Sequence, residues 1–320
     1  MIDIILAIFI LIGGIVLVIF SSKYAVKHSA LLATALGISP LIIGVTLVSI
    51  GTDISEIFNS IISCSLGHGD IDVGDSVGSD LTQLTLVFGL LPIVCGAFHI
   101  KRRDIIILGS CEVLSLIVIF SIVEKGYITR LNAIFMVSSL FIYMWLIYTS
   151  NKDSIEHRIE HLEISQPTKK KRYHLLIAAI GFLGVTISAY AIVQSVIFIS
   201  QAINVHEYII SFFVLAIGTS LPELAVDIHA LRAGHHGIAI GDIVGSCIVD
   251  STLSIGIGQV FFPQAVTAEL AVPTVLYTLI VSIIVIITVA ARRKIDKKAG
   301  VFFILLYFGS YFLLFNIMGY

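Results

Sequence analysis

Two carboxylates, Glu56 and Glu223, stand in stretches that are otherwise largely apolar, and each lies four residues beyond the threonine of a Gly-Thr pair. Four residues is about one helical turn, which places each carboxylate beside the backbone carbonyl of Thr52 or Thr219. The glycines, with Ser55 and Pro222 between threonine and glutamate, break or bend a helix and free its carbonyls at membrane depth. Carboxylate and carbonyl oxygens together suit a hard cation such as Ca2+, which takes about six to eight of them. Ionisable residues inside a membrane are costly and are usually kept for ion or proton handling. The pair therefore predicts a cation site, against the plainer reading of two buried acids satisfied by helix hydrogen bonds.

The two glutamates belong to one pattern written twice. The stretch from Gly51 to Gly89 returns from Gly218 to Gly256 at a constant offset of 167, without a gap. Among the identities are Gly51/Gly218, Thr52/Thr219, Glu56/Glu223, Gly67/Gly234, His68/His235, Gly74/Gly241, Asp75/Asp242, Gly78/Gly245 and Ser79/Ser246. Apolar bias would match Leu and Ile rather than this set. Ser79 and Gln83, and likewise Ser246 and Asp250, are four apart and share a helix face. They are expected to complete the site, although small and polar residues also serve helix packing. Asp75 and Asp242 follow a glycine at the expected start of a helix, where a carboxylate caps free N–H groups.

Other polar residues carry weaker signals. His68, His235 and His236 fall in short loops and read as solvated. Glu112, alone in its apolar segment, reads equally as a proton carrier or a paired structural acid. Asp227, one turn from Glu223, suits a vestibule as well as the site. Cys64, Cys95, Cys111 and Cys247 lie singly without ligand-like spacing, as reduced, small hydrophobes, which argues against a disulfide or zinc role.

The elements that position these residues follow from composition. With 58% hydrophobic and 12% charged residues and a mean hydropathy of +1.05, the chain is no soluble globule, whose charged fraction is roughly twice as high. Rulers of about 20 apolar residues place ten spans, near 3–24, 40–66, 75–96, 103–123, 131–149, 174–200, 208–233, 242–262, 270–291 and 299–318. The expected fold is an all-α integral membrane protein of ten transmembrane helices. All but two of the 19 Lys and Arg residues, Lys125 and Arg130, then fall in loops on one side, which the positive-inside rule makes cytoplasmic. Both termini are expected on the other side. Five helices per half is an odd number, so the second copy enters the membrane inverted. Residues 1–150 and 174–320 form the two five-helix repeats, and 151–173 is a cytoplasmic linker. Such repeats put a substrate site near the midplane, where broken helices of the two halves meet.

Gly218-Thr219-Ser220-Leu221-Pro222-Glu223 and Gly241-Asp242-Ile243-Val244-Gly245-Ser246, with their weaker upstream copies, resemble the alpha-repeats of the calcium/cation antiporter superfamily, and its sodium/calcium exchanger branch most. The resemblance implies ten helices, with the first and sixth sliding as a long tilted pair across the other eight, and exchange of Ca2+ for Na+ through central cation sites. By position it implies that Glu56 and Glu223 are shared by both ions, that Thr52 and Thr219 offer backbone carbonyls, that Ser220, Ser79 and Ser246 offer side-chain oxygens, and that Asp250 is the polar residue of the eighth helix. The first repeat departs from the pattern. Asp53 stands in place of Ser, Ser55 of Pro, Asp80 of Asn, and Gln83 of a shorter Asn or Asp. Asp53 adds a fourth charge to Glu56, Glu223 and Asp250, and such crowding lets protons compete or travel with cations. Ser55 leaves the second helix less obliged to kink.

The expected function is a Ca2+/Na+ antiporter of alternating access, with a proton-coupled exchanger of Ca2+ or another divalent cation as the alternative. It needs no permanently bound cofactor beyond transported Ca2+ and Na+ or H+, and no nucleic acid. Its surroundings are a cell membrane of prokaryotic type and its functional unit is a monomer. Two rival readings are a passive channel and an intramembrane aspartyl protease built on Asp75 and Asp242.

Overall fold

The computed structural model describes residues 2–35, 51–150, 170–232, 234 and 236–318. The first part of the expected 40–66 span, most of the 151–173 linker and His235 lie outside the described residues. The helices are α1 Ile2–Ala35, α2 Ile54–Ser65, α3 Gly69–Val94, α4 Arg102–Val123, α5 Arg130–Ser150, α6 Lys171–Ile203, α7 Glu207–Arg232, α8 (236–261), α9 Ala268–Arg292 and α10 Lys297–Met318. Among the described residues all but α2 are long and apolar enough to cross a membrane. The protein is a multi-pass, all-α membrane protein.

Three boundaries differ from expectation. α1 continues past residue 24 to Ala35, since no Gly or Pro interrupts the sequence between Gly14 and Gly37. α3 and α8 start at Gly69 and His236, six residues earlier than expected. Gly67 (φ +89°) and Gly234 (φ +82°) take the left-handed conformation that a residue without a Cβ adopts freely, just ahead of each helix. Asp75 and Asp242 consequently lie inside their helices and cap nothing at the N-terminus. His68 is not simply solvated either: its Nδ1 lies 2.8 Å from a Glu207 carboxylate oxygen.

The offset of 167 governs the whole molecule. α5 begins at Arg130 and α10 at Lys297, and the segment beginning at Ile54 in α2 matches the one beginning at Leu221 in α7. Four two-residue strands give the direction of the halves. β1 (Phe98–His99) pairs antiparallel with β4 (Lys294–Ile295), and β2 (Tyr127–Ile128) with β3 (Gln264–Ala265). α4 runs from β1 to β2, whereas its repeat partner α9 runs from β3 to β4. Since β1 joins β4 at one end and β2 joins β3 at the other, α4 and α9 run in opposite senses. The repeats are inverted.

Among the described residues the apolar core has three clusters, the smallest joining Cys111, Leu140, Tyr143, Ile248 and Val249. α3, α4, α5, α7, α8, α9 and α10 share the main cluster. α1 and α6 pack along each other over a second cluster that includes Ala7, Leu11, Val18, Val185, Ile192 and Val196 and that reaches Ile54 of α2, Ile71 of α3 and Ile210 and Leu215 of α7. Their crossing repeats the same symmetry. A Cβ on Gly14 would come within 3.5 Å of the Ser188 carbonyl, and one on Gly181 within 2.7 Å of the Ala25 amide, the close approach that small residues permit between membrane helices.

Candidate cation site

The backbone leaves helical geometry at matched positions of the two halves, where the sequence predicts. Asp53 has φ −81° and ψ 10° ahead of α2, and Ser220, its repeat partner, has φ −81° and ψ 1° within α7. This bridge conformation is sparsely populated and recurs at functional sites. Pro222 follows the break in the second half and lacks the N–H that would reach the Gly218 carbonyl. The first half keeps the same dihedrals with Ser55 in place of proline, so the expected relaxation of the kink does not occur.

The breaks bring acids of both halves together. Asp53, Glu56 and Glu223 each offer a carboxylate oxygen within 4.8 Å of the other two, and all three side chains are buried. Both oxygens of Asp53, both of Glu223 and Oε1 of Glu56 have no hydrogen-bond partner. Oε2 of Glu56 accepts from the Ser55 hydroxyl at 2.7 Å. Among the described residues no Lys or Arg side chain is buried, so no protein cation offsets this charge.

Hydroxyl contacts link the halves on either side. The Ser79 hydroxyl lies 3.3 Å from that of Thr219, and the Ser246 hydroxyl 3.4 Å from that of Thr52, the same contact at an offset of 167 in each member. Close packing of α3 on α7 allows it: a Cβ on Gly78 would overlap the Phe212 carbonyl oxygen and come within 2.8 Å of Ala216 Cβ. α3 and α8 each widen into a π-helical turn, over Thr82–Val87 and Asp250–Ser254, as helices often do at functional sites. Those turns hold Gln83, whose Nε2 donates to Asp250 Oδ2 at 3.2 Å, and Asp250, whose Oδ1 accepts from Ser254 at 3.3 Å.

Nine of the ten expected residues are thus drawn into cross-helix contacts or the carboxylate cluster. Ser220 is buried at the break, but its hydroxyl donates to the Ala216 carbonyl of its own helix at 2.8 Å. Sequence reasoning passed over Asn59, which donates to Asp75 Oδ2 at 3.1 Å while Thr219 donates to Oδ1 at 3.3 Å. Its repeat partner is Val226, so the repeat gave no signal, although Asn59 lies three residues beyond Glu56 on the same helix face. It also left Asp80, Glu112 and Cys247 apart, whereas the structure joins them in a second buried cluster.

Residues 6–149 and 173–316 match the family model described as sodium/calcium exchanger protein. The chain belongs to this family. The two matched stretches fall on the two halves defined by the offset of 167. Similar proteins include a putative antiporter CaxA of Alkalimonas amylolytica, 26% identical over 97% of this chain and 98% of that one. Another is the sodium/calcium exchanger MaX1 of Methanosarcina acetivorans, 25% identical over 96% and 98%. Among solved structures, the sodium-calcium exchanger NCX_Mj soaked with Na+ and Sr2+ superposes with a TM-score of 0.60 at 24% identity, covering 95% of this chain and 97% of that one. The H+/Ca2+ exchanger CAX superposes at 0.72 with 17% identity, covering 96% and 82%. At these identities the likeness is one of fold, and it holds for members named for either coupling ion.

Proposed function

We propose that the protein is a membrane antiporter that moves Ca2+ against a counter-flow of Na+ by alternating access, with no enzymatic step. The observation that carries this reading is the meeting of Asp53, Glu56 and Glu223 from inverted halves, with five carboxylate oxygens that have no hydrogen-bond partner. A divalent cation supplies what such a cluster lacks, and carbonyls at the Thr52 and Thr219 breaks with hydroxyls of Ser79, Ser220 and Ser246 bring the oxygen count to what Ca2+ takes. Two or more Na+ satisfy the same charge, which makes the two occupancies exclusive. Gln83 and Asp250 close the site on the α3 and α8 side.

Family membership and the relative named as a sodium/calcium exchanger support Na+ as the driving ion. The α1 and α6 pair, packed along each other and lying against α2, α3 and α7 through one apolar cluster, is the element we assign to the motion that opens the site to either side. One chain supplies every ligand this reading needs, which supports a monomer as the functional unit in the lipid bilayer. The bias of Lys and Arg to one set of loops supports both termini lying outside the cytoplasm, in what we take to be a prokaryotic plasma membrane. A second reading, H+ in place of Na+, rests on Asp53, a carboxylate where the other half has Ser220.

Calcium uptake by proteoliposomes, with Na+, K+ and H+ gradients imposed singly, tests the proposal. Uptake driven by internal Na+ is expected. Uptake driven only by a proton gradient selects the second reading, and uptake that ignores every counter-gradient indicates a channel and overturns both.

A further inference from the structure

Asp80, Glu112 and Cys247 form a cluster that the transport reading does not use. Their ligand atoms lie within 4.8 Å of one another and all three side chains are buried. Asp80 and Cys247 differ by 167, so residues of one repeat position meet at the boundary of the halves, while Glu112 enters from α4. The repeat partner of Glu112 is Leu279, and the cluster accordingly exists on one side only. Both Asp80 oxygens and Glu112 Oε1 are buried without a hydrogen-bond partner, and Asp80 is aimed at the other two. Gln83 Oε1 lies 3.4 Å from Cys247 Sγ, and Ser115, 3.5 Å from Glu112 Oε2, lies 2.7 Å from Ser251.

We propose that Asp80, Glu112 and Cys247 hold a borderline-soft divalent cation, Zn2+ or its analogue Cd2+, at a site distinct from the Asp53–Glu56–Glu223 cluster, with Gln83 Oε1 as fourth ligand. Two carboxylates buried together must be neutralised, by a bound cation or by a shared proton. The sulfur decides its class: oxygen-only ligands suit Ca2+, whereas a thiolate favours zinc-like ions. Tetrahedral zinc, with sulfur at about 2.3 Å and oxygen at about 2.0–2.2 Å, holds its ligands about 3.3–3.7 Å apart, inside the 4.8 Å within which these atoms lie. Binding releases the thiol proton to solvent as the thiolate forms its bond to the metal. The amide of Gln83 then spans two sites, Oε1 toward the soft ion and Nε2 on Asp250. Asp80 and Gln83, which depart from the alpha-repeat pattern, gain a common purpose. The ion ties α3, α4 and α8 and orients the amide that faces the transport site.

The test uses the full chain in detergent after chelator washing, with Cd2+ titrated and the sulfur-to-cadmium charge-transfer absorption recorded. A saturable band of one equivalent is expected, retained when Cys64, Cys95 and Cys111 are changed to Ser and lost in Cys247→Ser. Asp80→Asn and Glu112→Gln are expected to weaken binding more than about tenfold, the lower end of what even outer partners of a metal cost. Glu223→Gln keeps the band, so failure of the transport reading and failure of this one are separable. No band in the wild-type protein, Asp80 and Glu112 sharing a proton instead, overturns the proposal. So does a band that survives Cys247→Ser, or one lost in Glu223→Gln but kept in Asp80→Asn. If the carboxylate variants fail to fold, Cys247→Ser alone decides.

Discussion

Gln83 donates from Nε2 to Asp250 Oδ2 at 3.2 Å, and the two residues occupy the same position of the two halves. A residue that touches its own repeat partner lies at the boundary about which the halves are related. One half supplies the charge there and the other the amide that orients it, so the site is asymmetric at its most symmetric point. Gln83→Leu removes the donor at nearly constant volume and leaves Asp250 Oδ2 without it. A hydrogen bond to a charged group contributes about 1.5–3 kcal/mol, and Ca2+ transport affinity is expected to fall by about tenfold or more. Gln83→Asn, too short to reach, should behave like Leu in the same concentration series of Ca2+ uptake.

The contact between Ser79 and Thr219 depends on a backbone approach. Gly78→Ala places a methyl against the Phe212 carbonyl and Ala216, neither of which can swing away as a long side chain would. α3 must move from α7, and overpacking of this kind costs about 1–3 kcal/mol. A lower melting temperature in detergent is expected, together with reduced Ca2+ uptake per folded molecule. Ser79→Ala, which removes the hydroxyl without moving the helix, should leave the melting temperature nearly unchanged.

Much of this architecture was legible beforehand because the pattern that encodes it is written twice. Glu56 and Glu223 declared themselves as charges in apolar runs, and the offset of 167 that matched them also carries the strands and helices far from the site. The unread parts are those where the halves differ. Asn59 faces Val226 in the alignment, Glu112 faces Leu279, and Asp80 faces Cys247, so the repeat lent them no weight. Helix starts at Gly69 and His236 were hidden because glycines recur through both stretches, whereas the left-handed residues are Gly67 and Gly234.

Ser55 separates backbone from side chain at the first break. The dihedrals at Asp53 already match those at Ser220, and Ser55 holds the position of Pro222, in the first turn of its helix, where a proline costs no hydrogen bond. Ser55→Pro is therefore expected to fold and to melt within about a degree or two of Ser55→Ala. Both lose the 2.7 Å bond from the Ser55 hydroxyl to Glu56 Oε2. Uptake assays should show the same weakening of Ca2+ affinity in both; a much worse proline variant would mean that the break needs an N–H at this residue.

Charge at the cluster works in opposite directions with and without cation. Asp53, Glu56 and Glu223 repel one another when no cation lies between them, and their burial removes the water that would screen the repulsion. Ca2+ binds only the folded state and should raise the melting temperature, by an amount that grows with the logarithm of its concentration. Glu56→Gln or Glu223→Gln removes one charge while keeping shape. In chelator each variant is expected to melt above the wild-type protein. In Ca2+ the order reverses, because the variants lose the ligand that stabilises the wild type, and Ca2+ transport is abolished. Differential scanning fluorimetry with and without Ca2+, beside uptake in proteoliposomes, reads both halves of this expectation. A double variant that transports Ca2+ at an undiminished rate would remove the site.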